Sequence, residues 1–197
     1  RKPLAAATRR SNVPDGLWVK CPACKQLDYR SELEVKLRVC THCGYHHRIG
    51  ARTRIAMLVD PATFEETHAG LRSDDPLDFS VGEDRYTQRV ARAQQATQLE
   101  DALVTGTAAI EGTPLALGVM DPHFMMASMG GAVGERFCRF AEEAIAARLP
   151  VVVFAASGGA RMQEGILALM QMAKTAEAVR ALNAAAIPYV VVLTDPT

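Results

Sequence analysis

The chain has 197 residues, of which 49% are hydrophobic and 22% are charged, and this composition excludes disordered and fibrous proteins. Its most apolar stretches, Leu149 to Ala156 and Ile187 to Leu193, are far shorter than the roughly 20 residues needed to span a bilayer, so we predict no membrane span. The 22 basic side chains balance the 22 acidic ones, but residues 1–60 carry a net charge of +7 and residues 61–197 a net charge of −7. This asymmetry predicts two modules with different partners.

Four of the five cysteines form two pairs, Cys21 with Cys24 and Cys40 with Cys43, in the pattern C-x2-C-x15-C-x2-C. Two cysteines three residues apart on a tight turn can present both sulfurs to one ion, and two such turns complete a tetrahedron. Two disulfides are the alternative, but they need an oxidising compartment, and the N-terminal tail, residues 1–17, shows no secretion signal. We therefore predict a structural zinc ribbon over residues 18–50, whose four thiolates leave no ligand position open for catalysis.

Between the cysteine pairs, Leu27 to Val39 is predicted to form two short strands around a polar turn, because apolar residues alternate there. Since four cysteines fill the metal shell, three nearby histidines are expected to be exposed or to lie outside it: His42, His46 and His47. The fifth cysteine, Cys138, falls in a helical pattern and is expected to be a buried, inert thiol.

Aromatic residues accompany the basic charge of the ribbon, at Trp18, Tyr29 and Tyr45. Phosphate contacts combined with base stacking would make such a surface a nucleic-acid site. The alternative, which we favour for the rings, is that they pack the small core of the ribbon, while the excess positive charge still indicates a polyanionic or phosphorylated partner. A nucleic-acid- or protein-binding ribbon with a non-catalytic α/β scaffold therefore stays open as a second hypothesis.

Residues 51–100 are predicted to form a helical connector, with helices over Arg52 to Val59 and Glu83 to Gln98. From residue 101 the pattern becomes strand, strand, helix, strand, helix, strand. The predicted strands are Ala102 to Ile110, Pro114 to Met120, Val151 to Ala155 and Tyr189 to Leu193. The predicted helices are Ala132 to Arg148 and Gln163 to Ala185. Because the strands are continuously apolar, we expect an α/β fold with a sheet covered on both faces.

A glycine-rich loop, Ser157 to Arg161, follows the third predicted strand and precedes a helix, which is where ligands bind in α/β sheets. Gly158 and Gly159 let the backbone approach a ligand closely, and free N–H groups at the terminus of the following helix favour an anion or a developing oxyanion. The loop matches neither a Walker loop nor a G-x-S-x-G elbow, so Ser157 is not expected to be a nucleophile.

A second small-residue loop, Ala127 to Gly131, lies between a strand and a helix and is interpreted either as a ligand loop or as a packing turn. The methionines around both loops are expected to be flexible apolar filler: Met125, Met126, Met129, Met162, Met170 and Met172.

Five segments occur in a fixed order: CPAC-x15-CTHC, FMMASMGGAVGERF, FAASGGARMQEG, LMQMAKTAEAV and IPYVVVLTDPT. From about Val13 to Thr197, the chain thereby resembles the carboxyltransferase beta subunit of bacterial and plastid acetyl-CoA carboxylase. The resemblance implies a crotonase-like spiral of strand-strand-helix units, of which residues 101–197 are the first part, behind the zinc ribbon. It also implies transfer of a carboxyl group from carboxybiotin to acetyl-CoA, which gives malonyl-CoA for fatty acid biosynthesis.

The resemblance further implies roles for individual residues. Gly158 and Gly159 match the loop near which the CoA thioester is expected, and four residues match the ligands of one structural Zn²⁺: Cys21, Cys24, Cys40 and Cys43. The implied partners are an alpha subunit in an alpha2-beta2 assembly, biotin carboxylase, and the biotin carboxyl carrier protein, in the cytoplasm or the plastid stroma. A propionyl-CoA carboxyltransferase or a crotonase-like decarboxylase shares the spiral, so the acyl acceptor stays open.

The chain departs from that family in two places. The family often reads GGSMG where this chain has Met126-Ala127-Ser128-Met129-Gly130, so the loop geometry there is not predicted. The family also continues after LTDPT with a glycine pair that resembles an oxyanion hole, whereas this sequence stops at Thr197. We therefore expect a fragment with roughly the first half of the fold, which depends on partners for stability and for activity.

Overall fold

The computed structural model describes residues 16–197, so most of the predicted tail, residues 1–15, lies outside the described residues. The chain divides into two compact units, one that ends at Arg48 and one that runs from Ile49 to Thr197. Within residues 16–197, no helix has both the length and the apolar character that a membrane crossing requires.

The first unit is built on two short antiparallel backbone pairings. Strands β1 (Trp18–Lys20) and β2 (Leu27–Tyr29) pair on either side of the first two cysteines. A single bridge joins Val39 to His46 on either side of the other two cysteines. Each cysteine pair is therefore held in a turn whose two ends are fixed by backbone hydrogen bonds.

The predicted strand pair over Leu27 to Val39 is only half right. The first strand is β2, but a six-residue helix follows it, α1 (Arg30–Val35). Leu33 is fully buried whereas Val35 and Leu37 are exposed, so the alternation of apolar residues does not mark one buried face. Glu32 lies in the first turn of α1, where a negative charge interacts favourably with the helix dipole.

From residue 101 onward, the second unit has the predicted order of strands and helices. Its elements are α2 (Ala51–Leu58), β3 (Glu65–Thr67), β4 (Ser80–Val81), β5 (Asp84–Arg85), α3 (Tyr86–Thr97), β6 (Leu103–Ile110), β7 (Thr113–Met120), α4 (Gly131–Ala147), β8 (Val151–Ala155), α5 (Ile166–Ala184) and β9 (Tyr189–Leu193). Bounds from β6 onward agree with the prediction to within three residues. α5 begins after Gly165, whose φ of +56° ends a 3-10 turn over Met162–Glu164.

Five strands form one sheet in the order β3-β6-β7-β8-β9. Neighbours up to β7 are antiparallel, and β7, β8 and β9 are parallel. The carboxyl ends of the parallel strands therefore meet at one edge of the sheet. A Cβ on Gly118 of β7 would lie 3.4 Å from the Val153 side chain in β8 and 3.5 Å from the Phe140 ring of α4. Phe154 lies near the α2 side chain of Arg54, whose guanidinium is 5.3 Å from the ring centre.

Residues 51–100 contain more than two connecting helices. β3 is an edge strand of the sheet, and β4 and β5 form a short hairpin before α3. Residues of this segment share one hydrophobic core with β6, β7 and β8: Ala51, Ile55, Tyr86, Val90 and Leu99. Periodicity gave no signal for β3, because Glu65–Thr67 is polar throughout.

Two expectations about apolar residues are corrected. The sheet is not covered on both faces throughout, because Val190–Leu193 of β9 are exposed. α4 packs over β6 and β7, whereas β9 lies at the outer edge. Four of the methionines expected to fill the core are exposed instead, namely Met126, Met162, Met170 and Met172.

A substitution at Gly106 tests the packing of β3 against β6. A Cβ at this position would collide with the Glu65 carbonyl oxygen and come within 2.8 Å of the Phe64 ring. We expect Gly106→Ala to lower the free energy of unfolding by about 1–3 kcal/mol, measured by urea denaturation. Gly70→Ala is the matched control, because nothing lies within 4 Å of the position that its new Cβ would take, and it should leave stability nearly unchanged. Equal stability of the two variants would contradict this packing.

Candidate functional site

The two small-residue loops meet at the carboxyl edge of the sheet. Met129 donates its N–H to the Gly159 carbonyl oxygen at 2.9 Å, and Arg161 donates its N–H to the Met129 carbonyl oxygen at 2.8 Å. The parallel pairing of β7 with β8 places the ends of these strands side by side, which makes this bridge possible. Residues 127–131 and 157–161 therefore form one site, here named the loop pair.

The two glycines predicted as backbone donors differ in their hydrogen bonds. Gly159 has a φ of +100° and donates its N–H to Ser157 Oγ at 3.0 Å. The Gly158 N–H has no acceptor among residues 16–197. Gly158 also lies so close to the preceding loop that a Cβ would come within 2.9 Å of Met126 Cβ. The N–H groups of Gly130 and Ala160 likewise have no acceptor among residues 16–197, so Gly158 is one of three free backbone donors in the loop pair, and Ser157 acts as an acceptor that shapes the turn.

Arg161 occupies the centre of the site and is only 1% exposed. Its Nη1 and Nη2 donate to the two carboxylate oxygens of Asp101 at 2.9 and 2.7 Å. Nε donates to Ser128 Oγ at 3.2 Å, and Nη2 also donates to the Ser128 carbonyl oxygen at 2.8 Å. Nη1 reaches Ser73 Oγ at 2.8 Å. One buried cation therefore connects the residue that precedes β6 with both members of the loop pair.

Glu164 extends the same network to the start of α4. Its Oε2 accepts the Gly131 N–H at 2.5 Å, and its Oε1 accepts the Tyr86 hydroxyl at 2.6 Å. A negative charge at a helix N-terminus is favourable because the first N–H groups of a helix have no partner within it. A Cβ on Gly130 would collide with the Glu164 carboxylate, which explains why a residue without a side chain lies there.

Burial opposes both charges of the Arg161–Asp101 pair. Burial raises the pKa of Asp101, but the hydrogen bonds and charge of Arg161 outweigh this effect and hold that pKa below its usual value. Burial likewise lowers the pKa of Arg161, but Asp101 outweighs it and raises that pKa overall. Burial also raises the pKa of Tyr86, so its hydroxyl stays protonated and donates to Glu164.

A turn in the left-handed backbone region leads into the first loop of the loop pair and ends at its first residue, Ala127. Met125, Met126 and Ala127 have φ angles of +45°, +57° and +56°, which cost a residue with a Cβ about 1–2 kcal/mol each. Phe124, at the start of the turn, is fully buried with the Arg161 guanidinium 5.6 Å from its ring centre. Glycine would adopt such angles without this cost, but none of these three residues is a glycine.

An apolar cavity of about 500 Å³ borders the loop pair. Met129 and Ser157 contribute to its wall, together with side chains of the sheet and of both long helices, such as Leu103, Phe137 and Val179. A mostly apolar cavity beside a few polar groups is typical of a small-molecule site.

The structure brings the four predicted zinc ligands together. The sulfurs of Cys21 and Cys43 are 3.7 Å apart, as are those of Cys24 and Cys40, and all four lie within 4.8 Å of one another. A tetrahedral zinc site with Zn–S bonds of about 2.3 Å places its sulfurs about 3.8 Å apart. The spacing is far longer than a disulfide bond of about 2.05 Å, so the cysteines fit a zinc ion.

The other residues singled out from the sequence lie outside these two sites. Among the described residues, no histidine joins the cysteine cluster, and His42 Nε2 lies 3.6 Å from an oxygen of Asp28. Trp18 and Tyr29 pack on each other with ring centres 3.8 Å apart, yet both remain exposed. Cys138 is half-buried rather than buried, and burial raises the pKa of its thiol, which agrees with an inert role.

Sequence reasoning missed the buried network around Arg161. One available signal was a charged pair, Arg161 and Glu164, between a continuously apolar strand and a helix. The other was Asp101, a carboxylate directly before the apolar strand β6. Nothing in a single sequence indicates that Asp101 and Arg161 meet across 60 positions.

The Arg161–Asp101 pair yields a stability prediction. Asp101→Asn leaves a buried cation without its main counter-charge and should lower the free energy of unfolding by about 3–5 kcal/mol at pH 7. Because the pKa of Asp101 is lower in the folded than in the unfolded chain, the contribution is complete above the unfolded value of about 3.9 and is lost as pH falls through the folded pKa. Urea denaturation at neutral and acidic pH measures the difference between wild type and variant, which should shrink in acid.

Asp84→Asn serves as the control for this measurement. Asp84 pairs with Arg89 and Arg92 at the surface, where water screens the interaction, so its loss should be far smaller. Similar losses in the two variants would contradict a special role for the buried pair.

Two family models and several known proteins match this chain. The carboxyl transferase domain model matches residues 48–197, and the acetyl-CoA carboxylase zinc finger domain model matches residues 18–43. The acetyl-coenzyme A carboxylase carboxyl transferase subunit beta of Desulforamulus reducens is 50% identical over 188 residues, which are 95% of this chain and 64% of that protein. The subunits beta/alpha protein of Natranaerobius thermophilus is 45% identical over 96% of this chain and 31% of its own length.

A solved structure agrees with these matches. The transcarboxylase 12S hexamer with bound methylmalonyl-coenzyme A has a TM-score of 0.60 at 27% identity, over 74% of this chain and 26% of that chain. The comparisons confirm the predicted fold class, a crotonase-like α/β carboxyltransferase fold behind a zinc ribbon, and they do not favour a binding ribbon with a non-catalytic scaffold. The chain spans about two thirds of the length of its beta-subunit relative. It belongs to the carboxyl transferase domain family.

Proposed function

We propose that the protein carrying this chain is the beta subunit of an acetyl-CoA carboxylase carboxyltransferase. It transfers a carboxyl group from carboxybiotin on the biotin carboxyl carrier protein to acetyl-CoA and forms malonyl-CoA, the first committed step of fatty acid biosynthesis. The observation that carries the proposal is the free Gly158 N–H on a loop held rigidly at the carboxyl edge of the sheet. The names of the beta-subunit relatives support acetyl-CoA as the acceptor.

The reaction needs a donor for the charge that develops on the thioester oxygen. Loss of a methyl proton from acetyl-CoA gives an enolate, whose carbon would bond to the carboxyl carbon as the bond between that carbon and the biotin ureido nitrogen breaks, and the proton would end on the ureido nitrogen. A backbone N–H that is already in place stabilises the enolate oxygen without reorganisation, and we assign this role to Gly158. Asp101 and Glu164 are engaged by Arg161, Tyr86 and Gly131, so we do not assign them as the base. The biotin ureido nitrogen, once its carboxyl group departs, would supply it.

We assign three protein partners to this subunit. They are an alpha subunit in an alpha2-beta2 assembly, the biotin carboxyl carrier protein and biotin carboxylase. The existence of a relative that is named for both beta and alpha subunits supports the first of these. Free thiols at zinc-site spacing persist in a reducing compartment, and we place the protein in the cytoplasm.

We further propose that one Zn²⁺ per chain is held by the four ribbon cysteines. The sulfur spacing of 3.7 Å carries this assignment, and the match to the zinc finger model supports it. Four thiolates complete the shell, so the ion would stabilise the ribbon and take no part in carboxyl transfer. Without it, the first unit would lose the bond that joins its two turns.

Native mass spectrometry of the full-length protein tests the zinc assignment. We expect one zinc per chain in the wild type and its loss in Cys24→Ser, together with faster proteolysis of the ribbon. Cys138→Ser is the matched control, because this thiol lies outside the cluster, and it should retain the metal. A wild-type protein with two disulfides and no metal would overturn the assignment.

Carboxyl transfer is the direct test of the proposed function. The full-length protein, assembled with the alpha subunit, should form malonyl-CoA from the carboxylated carrier protein and acetyl-CoA. Gly158→Ala should lower kcat roughly 100-fold, because the added Cβ meets Met126 and displaces the donor. Gly70→Ala, which has open space around it, should keep full activity. Absence of transfer by the wild-type assembly would refute the function, and full activity of Gly158→Ala would refute the role of Gly158.

A further inference from the structure

Met126 is the exposed residue of a turn that is otherwise fixed. Two residues next to it anchor the turn in the protein interior, because Phe124 and Ala127 are both fully buried. Two backbone hydrogen bonds close the turn, from the Ala127 N–H to the Phe124 carbonyl oxygen at 2.8 Å and from the Ser128 N–H to the Met125 carbonyl oxygen at 3.2 Å. Met126 itself is 55% exposed. Its backbone position is therefore set by the fold, while its thioether faces the outside of the protein.

The side chain of Met126 lies against Gly158. A Cβ built on Gly158 would be 2.9 Å from Met126 Cβ, 3.0 Å from the Met126 carbonyl oxygen and 3.6 Å from Met126 Cε. Ser157, Gly158, Gly159 and Ala160 are themselves exposed. In the described structure, Met126 is therefore a large side chain in direct contact with a residue that carries a free N–H.

From this contact we infer that Met126 limits the size of the acyl group that the site accepts. The inference rests on the proposed function, in which the thioester oxygen binds the Gly158 N–H. The first carbon of the acyl chain is two bonds from that oxygen, so it lies within reach of the Met126 side chain. An acetyl group ends at that carbon. A propionyl or longer group adds carbons that must share the space with Cε and Sδ of Met126.

The contact also explains why a strained turn is useful at this position. A glycine would adopt the positive φ of Met126 more easily but would carry no side chain against Gly158. Because Phe124 and Ala127 anchor the turn, the backbone cannot retreat from a larger acyl group. Discrimination then depends on the thioether alone, which a single substitution removes.

Met126→Ala is the sharpest test, because alanine keeps the Cβ and the strained backbone and removes only the atoms beyond it. The experiment uses the full-length protein assembled with the alpha subunit and the carboxylated carrier, with acetyl-CoA and propionyl-CoA as acceptors. A pocket that distinguishes two substrates differing by one methylene changes the ratio of their kcat/KM values by about tenfold or more. We therefore expect the propionyl-to-acetyl ratio of kcat/KM to rise about tenfold in Met126→Ala. Met57→Ala on α2 is the control methionine, exposed but remote in the chain, and should leave the ratio unchanged.

Two outcomes would overturn the inference while the proposed function stands. The first is that kcat/KM does not change in Met126→Ala for either acceptor. The second is an equal change in kcat/KM for both acceptors, which would place Met126 against the CoA portion common to both. Failure of the wild-type assembly to carboxylate either acceptor would instead refute the proposed function itself. Met126→Gly should show the same shift in ratio as Met126→Ala and, in addition, a higher melting temperature, because glycine relieves the strained φ.

Discussion

The arrangement of the two loops at the carboxyl edge of the sheet depends on the ion pair between Arg161 and Asp101. Both side chains are completely buried, and the guanidinium has two hydrogen bonds to the carboxylate, two to Ser128 and one to Ser73. A buried charge is costly unless its partners satisfy it, so the pair fixes the position of everything that it contacts. Asp101 lies two residues before β6, Ser128 in the first loop of the loop pair and Arg161 in the second. The sheet and the two loops therefore hold their relative positions through one cation.

The donor role that we propose for the Gly158 N–H depends on that rigidity. Gly158 lies three residues before Arg161, and its N–H can serve as a preorganised donor only if its loop does not move when charge develops. The bridge between Met129 and Gly159 and the Glu164 carboxylate at the start of α4 fix the loop from two further directions. On its free side lies Met126, held in place by a strained turn. In the proposed function, the same constraints that immobilise the donor are also the ones from which we infer which acyl group fits beside it.

The sequence predicted the regular elements well and the polar network poorly, for physical reasons. β8 and β9 are continuously apolar, α4 carries helical periodicity, and the cysteine spacing is itself a geometric rule, so all could be recognised from neighbouring residues. The helix Arg30–Val35 lies in a stretch whose apolar residues alternate as in a strand, and strand Glu65–Thr67 is polar throughout, so local pattern misled in one case and gave no signal in the other. Asp101 and Arg161 are 60 positions apart and meet only through the fold of the chain. The positive φ at Met126 is likewise imposed by the buried anchors Phe124 and Ala127, against local preference.

Hydrogen–deuterium exchange of the full-length protein tests most directly whether one cation holds both loops. The measurement compares wild type with Asp101→Asn under native conditions and follows peptides that cover residues 127–131, residues 157–161 and strand β7. The account predicts that exchange rises together in both loops of the variant while β7 stays protected. Faster exchange in only one loop, or unchanged exchange in both, would contradict the claim that the Arg161–Asp101 pair organises the site.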